Sequence, residues 1–397
     1  MNLQRAKYKD IERIPHLTIP KNFKDTFFGS SPAPFIGRYG YPKVNIGLLS
    51  PQVSGDTSNY DSPKLWSQKS FPIQNIASLR YGLVNSRTTA EIKATSNPYL
   101  HIIQEVGMAS KPVELEVHLT RIPTLLFTPE KEIIPFGPQG EIKKARITSN
   151  SNIDSRVEKI VCDTDLKAAP AIMSLYQKGF EENFLTKLIS VGNLGLKNNR
   201  KLVPTRWSIT AVDDTLGKKL IQEVKDLQLG EYQLYFGGGW GNYYLLLFFP
   251  EVWSYELFET YISYKVNPWN KEGNFYSTDY ENYNGRKTYA QECAGGYYAA
   301  RLPILEKMKE LKRQHSCLAL RFITPEYNVP LGVWVCREAA RKSLAEKPLT
   351  FASQELMVKY AQELLQRKFN FELHLLLTES KLLKIKKEQK KINQFNN

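Results

Sequence analysis

The chain has 397 residues, 42% of them hydrophobic, which is enough apolar material for a large core and excludes a disordered polymer. Its net charge of +14 favours polyanionic partners; the stretch from Ser380 to Asn397 holds six Lys against one Glu, so nine of the surplus charges belong to the body. The longest apolar run, Tyr243 to Pro250, is far short of the roughly 20 residues of a bilayer-spanning helix, and Met1 to Asp10 is charged without an apolar stretch, so neither a membrane span nor a secretory signal is expected.

Phe28 to Pro51 is rich in Gly, Pro and Ser and then alternates through Lys43-Val44-Asn45-Ile46-Gly47-Leu48-Leu49, which reads as a loop followed by a strand. Gly37 and Gly40 flank Arg38 and Tyr39. Either the backbone amides of that loop cradle a phosphate beside Arg38, or the loop is a turn whose Phe35 and Tyr41 plug the core. Ser54 to Pro72 reads as a polar loop and Ile76 to Ala109 as mixed, mostly helical. Between Pro112 and Ile122, Val113, Leu115, Val117 and Leu119 alternate with Glu114, Glu116, His118 and Thr120, the period of a half-buried strand. Phe127 to Ser155, punctuated by Pro and Gly, is expected as an irregular connection, and two helices follow, Asp165 to Gly179 and Glu181 to Leu196.

Arg200 to Thr215 organises the rest. Pro204 forbids a helix running through it, so Arg200 to Pro204 is expected as an exposed basic turn. Ile209 and Ala211 then alternate as a strand does, and Asp213, Asp214 and Thr215 stand where that strand would give way to a helix starting near Leu216. An Asp at such a boundary is an N-cap or, beside an Arg206 and a Trp207 that meet a phosphate and a base, a support for a metal or a proton transfer.

Tyr232 to Phe236 and Tyr243 to Phe249 are predicted strands around Gly237-Gly238-Gly239-Trp240-Gly241-Asn242, and because a strand follows the glycines a hairpin turn is favoured over a nucleotide loop. Trp253 to Tyr264 is expected as an amphipathic helix and Asn267 to Tyr289 as a loop, in which Asp279, Glu281, Arg286 and Lys287 lie among tyrosines suited to stacking on bases. Gly295 to Leu311 is a predicted helix with Arg301 near its start, where an anion can be held. A strand, Ser316 to Thr324, and a helix, Val333 to Ala345, come next; there Glu338 pairs with Arg341 or Lys342, or the same cluster with Arg337 clamps phosphate. Ser353 to Lys368 is an amphipathic helix, while Phe369 to Leu377 leaves strand and helix both open.

Several words of this sequence resemble the archaeal Nre family of DNA repair proteins: "RKLVPTRWSITAVDDTLG" from Arg200, "FIGRYGYPKVNIGLLSP" from Phe35, "DSPKLW" from Asp61, "SKPVELEV" from Ser110, "DYENYNGRKTYA" from Asp279, "GGYYAARLPILE" from Gly295 and "PEYNVPLGVWVCREAAR" from Pro325. The likeness covers nearly the whole chain and implies repair of DNA damage in partnership with the sliding clamp PCNA. At the terminus, Gln389, Ile392 and Phe395 resemble the clamp-binding PIP motif, with Asn396 in place of the usual second aromatic; one helical turn puts Ile392 and Phe395 on one face. The family often begins with a cysteine-rich zinc module. Met1 to Ser30 has no Cys, so no such module is expected.

These readings combine into a mixed α/β (α+β) body, with mixed sheets and packed helices in an uncommon arrangement and a flexible C-terminal tail. Its expected divisions are 1–126, 127–155 as the connection, 156–379 as the core with the family signature, and 380–397 as a basic tail. The expected function is DNA repair at the clamp, with Arg38, Arg200, Lys201, Arg206, Trp207, Arg286, Arg301 and Arg337 as nucleic-acid contacts. An alternative is a nuclease or phosphodiesterase that uses Mg2+ or Mn2+ on some of Asp213, Asp214, Asp279 and Glu281; another is a non-catalytic adaptor. No metal ligand set is predicted, because four scattered Cys and five scattered His show no zinc spacing. The expected partners are PCNA and DNA, without a membrane, in the cytoplasm at the nucleoid.

Overall fold

The computed structural model describes residues 22–93, 97–124, 133–262 and 275–388, which fall into two compact units. One lies within Arg5–Leu216 and adds Val329–Trp334; the other comprises Gly217–Asn328 and Val335–Asn397 as far as they are described. The α+β class with mixed sheets and packed helices is what the structure has.

The first unit is built on strands β1 (Thr26–Ser31), β2 (Ala33–Ile36), β3 (Lys43–Ser50), β4 (Val84–Glu91), β5 (Val113–Leu119) and β6 (Gln139–Ile147). They form one sheet in the order β1-β5-β6-β4-β3-β2, antiparallel except between β4 and β6. On β5 the written alternation is realised, with Val113, Leu115, Val117 and Leu119 buried and the residues between them half-buried. Those side chains meet Ile102, Ile103 and Val106 in a single apolar cluster that also takes Val44, Ile46 and Leu48 from β3. The helices of this unit are α1 (Pro63–Gln68), α2 (Ile73–Tyr81), α3 (Leu100–Met108), α4 (Ser155–Cys162), α5 (Ala168–Gln177) and α6 (Glu182–Ser190).

Several stretches of this unit differ from expectation: β2 and most of β1 lie in the expected loop from Phe28, and α1 lies in the expected polar loop from Ser54 to Pro72. β4 interrupts the run read as mostly helical, where Val84, Thr88 and Thr89 suit a pleated surface better than a helix. β6 lies inside the expected irregular connection. Its buried Gly140, Ile142 and Ala145 are spaced among Glu141, Lys143, Lys144 and Arg146, and the Pro and Gly preceding them masked that pattern.

The largest correction concerns Arg206 to Val212, which is helix and not strand: α7 runs Thr205–Lys225. The carbonyl of Pro204 accepts from the amides of Trp207 at 2.8 Å and Ser208 at 3.0 Å. Proline therefore starts the helix, where its missing N–H costs nothing. Ser208, Val212, Leu216, Leu220 and Val224 are buried every four residues, and that periodicity outweighs the short alternation of Ile209 and Ala211.

The second unit carries β7 (Tyr232–Gly239), β8 (Asn242–Phe249), β9 (Ser254–Tyr261), β10 (Phe275–Glu281), β11 (Ser316–Ile323) and β12 (Leu349–Phe351), in the order β10-β9-β11-β8-β7-β12. Only β9 and β11 run parallel. The hairpin expected at the glycines is there: Gly239 pairs with Asn242, leaving Trp240 and Gly241 as a two-residue turn with φ of 54° and 67°. Positive φ at both positions is the tight turn whose twist matches two antiparallel strands.

Within the stretch from Trp253 expected as a helix, Ser254–Tyr261 is instead the strand β9. It lies between β10 and β11 and is buried along Tyr255 to Tyr261 on both faces, so it shows no alternation, and Trp253, Leu257 and Tyr261 mimic helical spacing. The Tyr-rich span expected as a loop contributes β10. Helices α8 (Gly295–Leu311), α9 (Trp334–Ala345), α10 (Gln354–Phe369) and α11 (His374–Glu379) follow.

The basic tail begins as α12 (Lys381–Glu388), whose Leu382 and Leu383 join the apolar cluster of the second sheet. The buried carboxylate of Glu256 on β9 accepts from Ser380 Oγ at 2.6 Å and from the amides of Lys381 at 2.9 Å and Leu382 at 3.0 Å, which caps this helix. Gln389, Ile392 and Phe395 lie outside the described residues. Cys162 is exposed, Cys293, Cys317 and Cys336 are buried, and all four are free thiols. Among the described residues no helix is long and apolar enough to cross a membrane.

Candidate nucleic-acid interface

The start of α7 and the turn between β2 and β3 come together in the first unit. The amide of Ile36 donates to Thr205 Oγ1 at 3.0 Å, tying the end of β2 to the first residue of the helix. The turn beyond Ile36 is closed by Gly37 N to Asn45 O at 2.8 Å and Lys43 N to Gly40 O at 2.9 Å. Gly40 is needed there, because at its φ of 84° a Cβ would lie 2.7 Å from the Lys43 carbonyl.

Three aromatic rings stand out of this junction: Tyr39 is 65% exposed, Tyr41 41% and Trp207 45%. The rings of Tyr41 and Trp207 are in contact, with centroids 5.1 Å apart and a 56° tilt. The Arg38 guanidinium lies 4.7 Å over the Tyr39 ring and donates to its hydroxyl at 3.0 Å. Arg206 is half-buried beside Trp207 in the chain, and Lys43 and Lys201 are exposed on the segments leading out of the turn and into the helix. The N-terminal end of a long helix adds its own positive potential. Exposed rings bound by cations and a helix start can stack on unpaired bases and hold phosphate.

The segment entering α7 is rigid for reasons of its own. Arg200 spends its guanidinium on the carbonyls of Gly195 at 2.8 Å and Asp163 at 3.1 Å, and Leu202 is buried. Arg200 therefore shapes the basic turn, and Lys201 is the exposed cation of that pair. Asp213 and Asp214, expected at a strand end, lie in the interior of α7; Asp213 is fully buried and Asp214 half-buried, so neither is the N-cap.

Three further cations expected at nucleic acid are turned inward in the second unit. Arg301 is 1% exposed and pairs with Glu281 at 2.8 Å. Arg286 pairs with Asp279 at 2.9 Å and also donates to the carbonyls of Tyr280 and Tyr289, each at 3.0 Å. Arg337 is buried as well. The cause is the neighbouring carboxylates: β10 presents Asp279 and Glu281 two residues apart, hence on one face of the strand, and each takes an arginine. On α9, Glu338 pairs with Arg341 at 2.7 Å, the plain structural alternative for that helix.

Among the described residues no three His, Cys, Asp or Glu side chains cluster so as to hold a metal ion. Asp279 and Glu281 are engaged as stated, and Asp279 also accepts the amides of Glu292 at 3.0 Å and Cys293 at 2.8 Å. These carboxylates serve as buried anchors for the chain that follows them.

Sequence reasoning named Arg38, Lys201, Arg206 and Trp207 among the residues gathered here and did not name Tyr39 or Tyr41, the latter having been offered as a core plug. The available signal was the word Gly37-Arg38-Tyr39-Gly40-Tyr41-Pro42, which alternates aromatics with turn residues and lacks the aliphatic residues of a core segment.

The profile described as "Archaeal Nre, N-terminal" matches residues 8–270, and that described as "Archaeal Nre, C-terminal" matches residues 281–395. The chain belongs to the archaeal Nre family. It is 35% identical over 342 residues to the DNA repair protein NreB of Archaeoglobus fulgidus, covering 86% of this chain and 85% of that one. It is 33% identical over 351 residues to the DNA repair protein NreA of Haloferax volcanii, covering 85% and 84%. A second Archaeoglobus fulgidus relative, the DNA repair protein NreA, is 36% identical over 327 residues, covering 82% and 81%. No solved structure matches the chain.

Proposed function

We propose that this protein acts in DNA repair by holding DNA with unpaired bases on the face formed by Arg38, Tyr39, Tyr41, Lys201, Arg206 and Trp207. The observation that carries this reading is the contact of exposed Tyr41 with exposed Trp207 at the start of a helix, with two arginines alongside. Three exposed aromatics are costly on a surface with no partner, whereas a base stacked on one of them contributes about 1 to 3 kcal/mol without reading sequence. The relatives NreA and NreB are themselves DNA repair proteins. The basic residues bring the backbone in, and the rings select strands whose bases are out of the duplex.

On this reading the protein works at the nucleoid in the cytoplasm. The terminal Gln389, Ile392 and Phe395 would dock on the sliding clamp PCNA and keep the aromatic face close to DNA, the tether offsetting a motif that lacks its second aromatic. The metal-dependent nuclease gains no supporting observation, since no carboxylate cluster is present among the described residues.

The test is binding of a labelled single strand and of the matching duplex across a salt series. Wild-type protein is expected to prefer the single strand and to weaken steeply with salt; the Tyr41→Ala, Trp207→Ala pair loses the preference, while Arg38→Ala lowers the salt slope by roughly 0.7 for each phosphate contact removed. Equal binding by wild type and the double variant would show that the face is not the interface.

A further inference from the structure

Away from the aromatic face, the first unit has a cavity of about 280 Å3 lined by Pro32, Asp61, Lys111, Asn183, Phe184 and Lys187 among others. Its floor is fixed. One Asp61 oxygen accepts from Arg80 at 2.7 Å and the other from Asn183 Nδ2 at 2.9 Å, and both members of the Asp61–Arg80 pair are buried. Lys187, on α6, sends its Nζ into this space, 5.3 Å from the Phe184 ring centroid and 3.1 Å from the Pro32 carbonyl. Among the described residues that carbonyl is its only hydrogen-bond or ion-pair partner.

A structural lysine is ordinarily solvated or ion-paired; Lys187 is half-buried and spends its amine on a backbone carbonyl, with no carboxylate paired to it among the described residues. Burial pushes its amine below the ordinary lysine range, with Asp61 and Glu181 pulling the other way. A desolvated amine in a cavity is the side chain that adds to carbonyl carbons, because its neutral form is populated nearer to neutral pH. The cavity is at the small end of the ligand-site range, the size of one sugar unit. Lys111 is exposed in its lining, and the lining carboxylate of Glu181 is offset by Lys64 at 3.8 Å, so a phosphate attached to that sugar would meet positive charge at Lys111.

We propose that this cavity is a carbonyl-binding site in which Lys187 forms an imine with the open-chain aldehyde of a deoxyribose unit, the aldehyde of an abasic site in DNA. The neutral Nζ donates its electron pair to the aldehyde carbon, and the carbonyl oxygen takes up a proton to give a carbinolamine. That hydroxyl then leaves as water, the nitrogen losing its second proton, so that one amine and one aldehyde become one imine and one water. The choice of DNA as the source of the aldehyde rests on the repair reading above; the amine chemistry does not.

Borohydride, which reduces an imine to a stable secondary amine, tests this with the full chain in two arms. With an abasic oligonucleotide, a covalent adduct mapped by peptide mass spectrometry to Lys187 is expected, absent in Lys187→Arg, which keeps the charge, and in Lys187→Met, which keeps the stem. With free 2-deoxyribose 5-phosphate, which needs no DNA binding, a one-to-one adduct on Lys187 is expected. No adduct in the second arm, or adducts spread over other lysines and retained in Lys187→Arg, overturns the proposal. An adduct with the sugar phosphate but none with an oligonucleotide that binds overturns the abasic-site assignment; an oligonucleotide that fails to bind counts against the repair interface instead.

Discussion

Two regions of the molecule use the same residues to opposite ends. Around β10 and α8, Arg286 lies 5.2 Å over the Tyr297 ring and Arg301 5.3 Å over the Tyr298 ring, and both arginines end on carboxylates of one strand. Tyr297 and Tyr298 are buried, so this arrangement is a closed knot that fastens the strand, the loop after it and the helix. At the β2–β3 turn and the start of α7, Arg38 lies over Tyr39 in the same way, but the rings face water. The difference teaches that arginine beside tyrosine does not by itself mark a nucleic-acid contact. What decides is whether a carboxylate on a neighbouring element claims the guanidinium and whether the rings are covered.

The contrast can be broken most forcefully at the closed knot. Arg301→Leu leaves the Glu281 carboxylate buried with its cation gone and is expected to cost about 3 to 5 kcal/mol of stability by denaturant unfolding. Single-strand affinity of the remaining folded protein should be unchanged. If affinity falls with stability untouched, Arg301 is a ligand contact after all.

The same unit encloses His315, whose pKa burial pushes down to about 4. Its native form is neutral while the unfolded chain takes up a proton near pH 6.5, so stability is complete above that pH and is lost as pH falls toward 4. The expected loss is roughly 3 kcal/mol across that window, and His315→Gln should flatten it when unfolding is followed between pH 7 and 4.

A chain ended at Ser380 removes Leu382 and Leu383 from the core and two of the donors to Glu256, an expected loss of about 2 to 3 kcal/mol. One ended at Glu388 keeps α12 and should unfold as the intact chain does, yet no longer be retained by PCNA in a pull-down. Retention would show that the terminal motif is not the anchor. The smallest effect belongs to the open face: Trp207→Ala should weaken single-strand binding by about 1 to 3 kcal/mol in an anisotropy titration. Its melting temperature should stay close to that of the intact chain.

How much was legible in the sequence follows the burial of each element. β5 and the β7–β8 hairpin could be read directly, because one-faced alternation and a Gly-marked turn are local properties. β9 could not, since a strand covered on both faces carries no period of two. At the candidate site, the basic word around Arg200 and the ring of Trp207 were visible in one dimension. The contact of that ring with Tyr41 was not, because the chain separates the two by about 160 residues.

The sequence by itself determined the family, the positive charge of the body, the start of a new element at Pro204 and the presence of arginines among tyrosines. Only the tertiary structure decided which arginines stay available, because that depends on the carboxylates that strand pairing and helix packing bring to them. Glu281 reaches Arg301 across 20 residues of chain and closes that site; no local pattern states such a pairing, since it is fixed by the register of β10 against β9 and by the burial of α8.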